Sequence, residues 1–197
     1  MSKVQEILSR MAGMAKQARA ALAGDAGVLN TLEGEHAEVA MLMRACMDEG
    51  HDDHDPEALE CRRALYSRIR VQLLAHAKAE AQELYGVLEL RPSTREDALH
   101  SELEHREIEH LIRRLDHMSE SDIGWMPTFA TLQMKVDAHV REEEDIFFDE
   151  AKLVLDNDEL REIDDRYRAA RRRYVELLEA GGDLGHAHYG HESHAAY

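Results

Sequence analysis

The chain reads as an all-α protein: an up-down-up-down four-helix bundle with one extra helix before it and one after it. Three observations predict this. Proline occurs only at Pro56, Pro92 and Pro127 while Ala, Leu, Glu and Arg are plentiful, so long helices are broken at few places. Apolar residues recur at steps of three and four in successive segments, and strand-type alternation is nearly absent. The 197 residues suffice for one sizeable core, and nothing marks a second. The organisation expected is an N-terminal amphipathic helix in 1–24, the bundle in 25–155, a C-terminal helix packed on it in 156–181, and a flexible His-rich tail in 182–197.

The formal net charge of -17 excludes binding to nucleic acid or to anionic membranes through a basic surface, and makes cations the natural guests. No run reaches the ~18 apolar residues of a membrane span. No charged start followed by an apolar core marks a secretory signal, and two cysteines, Cys46 and Cys61, are too few for a disulfide framework. A soluble cytoplasmic protein is expected, with both thiols inert.

In the first helix, residues 3–23, Val4, Ile7, Leu8, Met11, Ala15, Ala18 and Leu22 share a stripe that weakens to alanine in its second half. Such a helix packs on the bundle or on a second subunit, the latter giving a homodimer. Gly24 ends it. The second helix, from about Ala26 to Asp48, steps 3-4-3-4-3 through Leu29, Leu32, His36, Val39, Met43 and Cys46, the period of a bundle core helix. A histidine in such a seam must be hydrogen-bonded, charged at a cost, or bound to a metal.

Residues 49–55 form a polar loop ending in Asp55-Pro56-Glu57, an N-cap followed by Pro at N1 and a first-turn acid. The third helix runs to about Leu90 and keeps Leu65, Ile69, Leu73, His76, Glu80, Leu84 and Val87 on one face. His76 and Glu80, four apart, lie about 40° from each other around the axis, so both reach one point beside the helix. Tyr85, roughly one turn beyond Glu80, is in reach of the neighbourhood of that pair, with ordinary packing as the default expectation.

Pro92 stops that helix, and Ser93-Thr94-Arg95-Glu96 reads as a capping box for the fourth, which runs to about Met118. Its seam holds Ala98, Ser101, His105, Ile108, Ile112 and Leu115. His100 and His110, five residues from His105, point about 140° away. Glu109 follows His105 at i+4, but in so acidic a helix a solvated role is expected.

After a loop over 119–124, Trp125 covers the bundle end and Pro127 suits the first turn of the fifth helix. Phe129, Leu132, Val136, His139, Glu143 and Ile146 again step 3-4-3-4-3, while Glu142, Glu144 and Asp145 face elsewhere. The last helix, from about Asp158 to Ala180, carries a packing stripe of Leu160, Ile163, Tyr167, Tyr174 and Leu177 and stops at Gly181-Gly182. The tail beyond holds His186, His188, His191 and His194 and lacks large aliphatic residues.

One histidine on a core seam is ordinarily a hydrogen-bonded core residue. Here four helices each supply one, two add a glutamate at i+4, and the histidines lie 40, 29 and 34 residues apart, close to one helix-hairpin period each. An up-down-up-down bundle brings all four to a similar height. The set His36, His76, Glu80, His105, His139 and Glu143 suits iron, manganese or zinc, because it holds imidazole and carboxylate and no thiolate. Two metals ~3.5–4 Å apart, bridged by carboxylates, would use all six groups.

On Glu35-His36, His76-Ala77-Lys78-Ala79-Glu80, Glu104-His105 and the run from His139 to Phe148, the chain resembles the hemerythrin-like HHE cation-binding family over roughly residues 25–155. The resemblance implies a non-haem di-iron centre, oxo- or hydroxo-bridged. His36, His76, His105 and His139 would be its terminal ligands, and Glu80 and Glu143 its bridging carboxylates. It implies as partner a small diatomic ligand or peroxide, for sensing or handling oxygen, peroxide or nitric oxide, or iron itself. Oxygen-carrying hemerythrins pair two histidines on the third bundle helix and use an aspartate on the fourth. With Glu109 and Glu143 in those places, sensing or oxidative chemistry, catalase-like or ferroxidase, is the expectation over reversible carriage. A bundle holding structural zinc is the remaining alternative.

Overall fold

The computed structural model describes residues 5–7, 9–10, 13, 27–49 and 55–184. Five long helices carry the fold: α1 (Val28–Glu49), α2 (Pro56–Glu80), α3 (Arg95–Asp116), α4 (Trp125–Glu142) and α5 (Asn157–Glu179). Among the described residues there is no strand. α2 continues through a π-helical turn, Ala81–Tyr85, into Gly86–Leu88, and α4 through a second, Glu143–Phe147, into Phe148–Val154.

The helix starts follow local chemistry. Asp55 accepts from the backbone N–H of Glu57 ahead of Pro56, as expected, and Asp156 caps α5 in a reciprocal capping box with Glu159. The box expected at Ser93 to Glu96 does not form. Thr94 occupies the N-cap position, and its hydroxyl donates instead to the Leu88 carbonyl at 2.9 Å, which ties the end of the preceding helix to the start of α3.

Two apolar cores stack along the bundle. One joins the later part of α1 (Val39 to Cys46), the first two thirds of α2 (Cys61 to Leu73), the end of α3 (Ile108 to Leu115) and the start of α4 (Trp125 to Val136). The other joins the opposite ends, from Val28 to Leu32, Ala79 to Leu88, Ala98 and Phe147 to Leu155, with Leu160, Ile163, Tyr167 and Ala170 of α5. This alternation of ends makes consecutive helices antiparallel. At the first end Trp125 stacks on Phe129 at 5.2 Å, meets Tyr66 edge-on at 5.3 Å and lies beneath the Arg62 guanidinium, closing the bundle as expected. Cys46 and Cys61 are buried free thiols in this core, and burial pushes the Cys46 thiol up to about 12.

The π turns correct two expected register positions. Each inserts a residue into the 3.6-residue period, so the inward stripe shifts by one beyond it. Ile146 is therefore 52% exposed while Phe147 and Phe148 turn inward, and Tyr85 and Leu88 are buried where Val87 is only half-buried. In α5 Leu177 is also largely exposed, and Tyr167 and Leu178 take the buried positions. α5 lies along α2 and α1, whereas α2 and α3 touch each other little. The expected N-terminal helix lies mostly outside the described residues, though Ile7 packs into the first core. The His51 to His54 loop and the tail beyond Leu184, with all its histidines, lie outside them too. No helix among the described residues is long and apolar enough to cross a membrane.

Candidate metal centre

Between the two apolar cores lies one polar layer. His36 from α1, His76 and Glu80 from α2, His105 from α3, and His139 and Glu143 at the end of α4 are all buried there. The six residues singled out from the sequence thus converge. His76 Nε2 lies 3.1 Å from Glu80 Oε2 and His105 Nε2 3.6 Å from the same oxygen, while His36 Nε2 and His139 Nε2 lie 3.4 and 3.5 Å from Glu143 Oε2. The Nε2 atoms of His105 and His139 face each other at 2.9 Å. Three overlapping triads, His36 with His76 and Glu143, His76 with Glu80 and His105, and Glu80 with His139 and Glu143, each bring their ligand atoms within 4.8 Å of one another.

These atoms suit cations. Nε2 of His36 and of His76, both oxygens of Glu80 and Oε2 of Glu143 are buried and lack a hydrogen-bond partner among the described residues. Leaving so many buried polar atoms unmatched costs about 1–3 kcal/mol each, and a cation pair would satisfy all of them. The carboxylates also strain each other. Burial, then the neighbouring Glu80 charge, raises Glu143 to about 8, whereas His76 and the other imidazoles hold Glu80 below its usual range against its burial. Burial keeps His105 neutral, pushed well down with help from His139 and His76.

The outward nitrogens decide how each ring is held. His76 Nδ1 meets Glu35 Oε2 at 3.1 Å, His139 Nδ1 meets Glu104 Oε2 at 2.9 Å, and His36 Nδ1 meets Glu144 Oε1 at 2.8 Å. Each Glu-His dipeptide therefore works across helices. Its glutamate anchors the histidine of the next helix, because adjacent positions on one helix point about 100° apart. Glu35 is itself fixed from α5: the Tyr167 hydroxyl donates to Glu35 Oε2 at 2.6 Å and the Arg171 guanidinium lies 2.7 Å from it. Burial opposes the Glu35 charge, yet the bond from His76 and the Arg171 charge bring its carboxyl down to about 2.

Sequence reasoning missed part of this set. Glu144 was expected to face elsewhere, but the π turn that begins at Glu143 rotates it onto His36. Tyr85, for which the sequence leaves ordinary packing as the default and reach to the site as the other reading, is brought in by the other π turn. Its hydroxyl donates to Glu143 Oε1, and its ring stacks on His105 at 5.5 Å. Tyr167 and Arg171 carried no signal beyond an apolar stripe. Glu109 turns out and pairs with Arg113 at 3.5 Å, and His100 and His110 are exposed, as their offsets require.

A cavity of about 240 Å³ opens between α2 and α3, where the helices touch least. His105 is the one candidate ligand on its wall. Leu73, Ala77, His105 and Ile108 also line a second space of about 20 Å³ directly against His36, His76 and His139. Apart from His105, the residues common to both walls are apolar, while the outer wall of the larger cavity carries charged side chains such as Arg70, Lys78 and Glu109.

The hemerythrin HHE cation-binding domain matches residues 27–151. No curated protein and no solved structure matches the chain.

Proposed function

The chain belongs to the hemerythrin HHE cation-binding family, and from that premise we propose a non-haem di-iron protein that senses or handles a small ligand such as oxygen, nitric oxide or peroxide. The observation that carries this reading is the ring of unpartnered Nε2 and carboxylate atoms between four helices, with no thiolate among them. Imidazole and carboxylate with no thiolate are a donor set of iron, with zinc or manganese as the alternatives that metal analysis would distinguish.

A bound iron pair supplies reversible one-electron chemistry and open coordination positions. The chain's own residues supply the rest. His36, His76, His105 and His139 would hold the ions through their Nε2 atoms, and Glu80 and Glu143 would supply carboxylate ligands from the same layer. Glu35, Glu104 and Glu144 accept from the outward nitrogens of their histidines, which fixes the tautomer in which Nε2 is free to ligate. The Tyr85 hydroxyl, donating to Glu143, holds a proton at the edge of the cluster. Leu73, Ala77 and Ile108 keep bulk water from the inner space and admit small molecules.

Tyr85 also favours an oxidative second reading, since peroxide disproportionation needs a proton delivered beside the metals and Tyr85 is the buried hydroxyl placed to deliver it. Metal analysis of the purified full chain, with absorption spectra before and after peroxide and dithionite, tests both. Two irons per chain with charge-transfer bands that bleach on reduction are expected. One zinc, or no metal after growth in iron-supplemented medium, would sink the di-iron reading. Catalytic peroxide turnover, reduced in Tyr85→Phe at unchanged iron content, would select the second reading over passive sensing.

A further inference from the structure

α5 reaches the polar layer through Tyr167 and Arg171, and both act on one atom. Glu35 Oε2 accepts from the Tyr167 hydroxyl at 2.6 Å, lies 2.7 Å from Arg171 Nε and meets His76 Nδ1 at 3.1 Å. The two contacts from α5 differ in kind. The hydroxyl gives a hydrogen bond, whereas Arg171 Nε stands within ion-pair range but outside hydrogen-bond geometry, so it acts through its charge. From its other end the guanidinium donates to the Gln72 side chain of α2, which holds it in place.

Glu35 differs from the other two carboxylates that anchor an imidazole. The side chains of Glu104 and Glu144 are 22% and 36% exposed, so water and salt screen their charge, while that of Glu35 is 9% exposed. Away from water a carboxylate acts on its neighbours at low effective dielectric. Left to itself, Glu35 would pull hard on the outward N–H of His76, which strengthens Nε2 as a donor and favours the oxidised state of a bound metal. The contact is instead the longest of the three, at 3.1 Å against 2.9 Å for His139 and 2.8 Å for His36. An oxygen shared with a hydroxyl and a guanidinium has less electron density to give to the imidazole.

We propose that α5 is an electrostatic counterweight to the metal centre: Arg171 and Tyr167 draw on Glu35 Oε2, weaken its pull on His76, and so hold the reduction potential of the bound iron above the value that Glu35 alone would set. Both are positioning residues, since neither touches a metal ligand atom and each acts through Glu35. The inference rests on the iron reading given under Proposed function. α5 lies beyond residues 27–151, so this control is added to the matched bundle from outside it.

Spectroelectrochemical titration of the iron-loaded full chain tests the proposal, with iron counted first in every sample. An unaltered chain that binds no iron would overturn the iron reading and this inference with it. With iron bound, the potentials decide. Arg171→Gln is expected to lower the midpoint potential, Glu35→Gln to raise it, and Arg171→Lys, which keeps the charge, to stay near the unaltered value. In the double variant Arg171→Gln with Glu35→Gln, the effect of the arginine should vanish, because its route to the iron is gone. A merely structural clamp would move Arg171→Gln and Glu35→Gln the same way. Shifts of one sign, no shift in Arg171→Gln, or an arginine effect that survives without Glu35 would each overturn the proposal. If Arg171→Gln does not fold, Tyr167→Phe takes its place with the same expected fall, and an unchanged or raised potential there overturns the proposal.

Discussion

At the scale of single residues, charge placement around the imidazoles decides what the cluster can do. Glu35, Glu104 and Glu144 each reach the outward nitrogen of a histidine on another helix, so losing one removes orientation and basicity without removing a ligand. Glu35→Gln is expected to weaken metal binding by about 10- to 100-fold in competition with a chelator, with both ions still bound at saturation. His76→Ala or Glu143→Ala removes a proposed ligand outright and is expected to lower the metal count per chain. Glu109→Gln should leave the count unchanged, because Glu109 faces Arg113 and not the cluster. Retention of two metals with unchanged spectra in His76→Ala would remove that histidine from the site.

At the scale of elements, α5 and the two π turns matter most. α5 follows the stretch that matches the family, yet it delivers Tyr167 and Arg171 to Glu35 and covers the second core. Ile163, 2% exposed, belongs to that packing, and Ile163→Ala is expected to cost about 2–5 kcal/mol in denaturant unfolding. The π turn at Glu143–Phe147 rotates Glu144 toward His36 and Phe148 over it. Deleting Asp145 would remove the inserted residue and restore the plain helical period, keeping Phe147 and Phe148 inward at seven and eight residues from His139 while Glu144 loses the rotation that brings it onto His36. Metal content of the deletion variant should fall if the turn sets this part of the site, and an unchanged content would show that it does not.

At the scale of the whole molecule, the apoprotein keeps like charges and imidazoles in a closed layer, so its stability depends on pH with a sign that can be worked out. Glu143, raised to about 8 from an ordinary 4.5, stays protonated when folded across a range in which the unfolded chain has lost that proton. Its effect on stability therefore worsens as pH rises to about 8. His76 is raised to about 10 from 6.5, because Glu80 and Glu35 outweigh its burial, and its stabilisation, full below 6.5, is lost as pH rises toward 10. Both act in one direction between pH 6.5 and 8. The apoprotein is expected to melt at lower temperature at pH 8 than at pH 6.5. The metal-loaded protein should reverse that trend, because ligation displaces the protons and binding tightens with pH. Thermal melts of both forms across this window check the sign, and equal slopes for the two would disconnect the buried carboxylates from metal binding.

The helices, their order and the six converging residues were legible in the sequence because each rests on a local period: steps of three and four mark the seam, and a histidine with a glutamate at i+4 must share its face. The spacing of His36, His76, Glu80, His105, His139 and Glu143 by itself thus places them in one layer. Three features were decided only by tertiary structure. The π turns at Ala81–Tyr85 and Glu143–Phe147 break the period from within, so Ile146, Glu144 and Tyr85 lie where a uniform helix would not put them. The anchoring of each imidazole joins residues as far apart as Glu35 and Tyr167, a pairing no spacing encodes. The contrast between an anchored His36 and an unanchored His105 depends on what stands beside each ring in space, which follows from packing and not from periodicity.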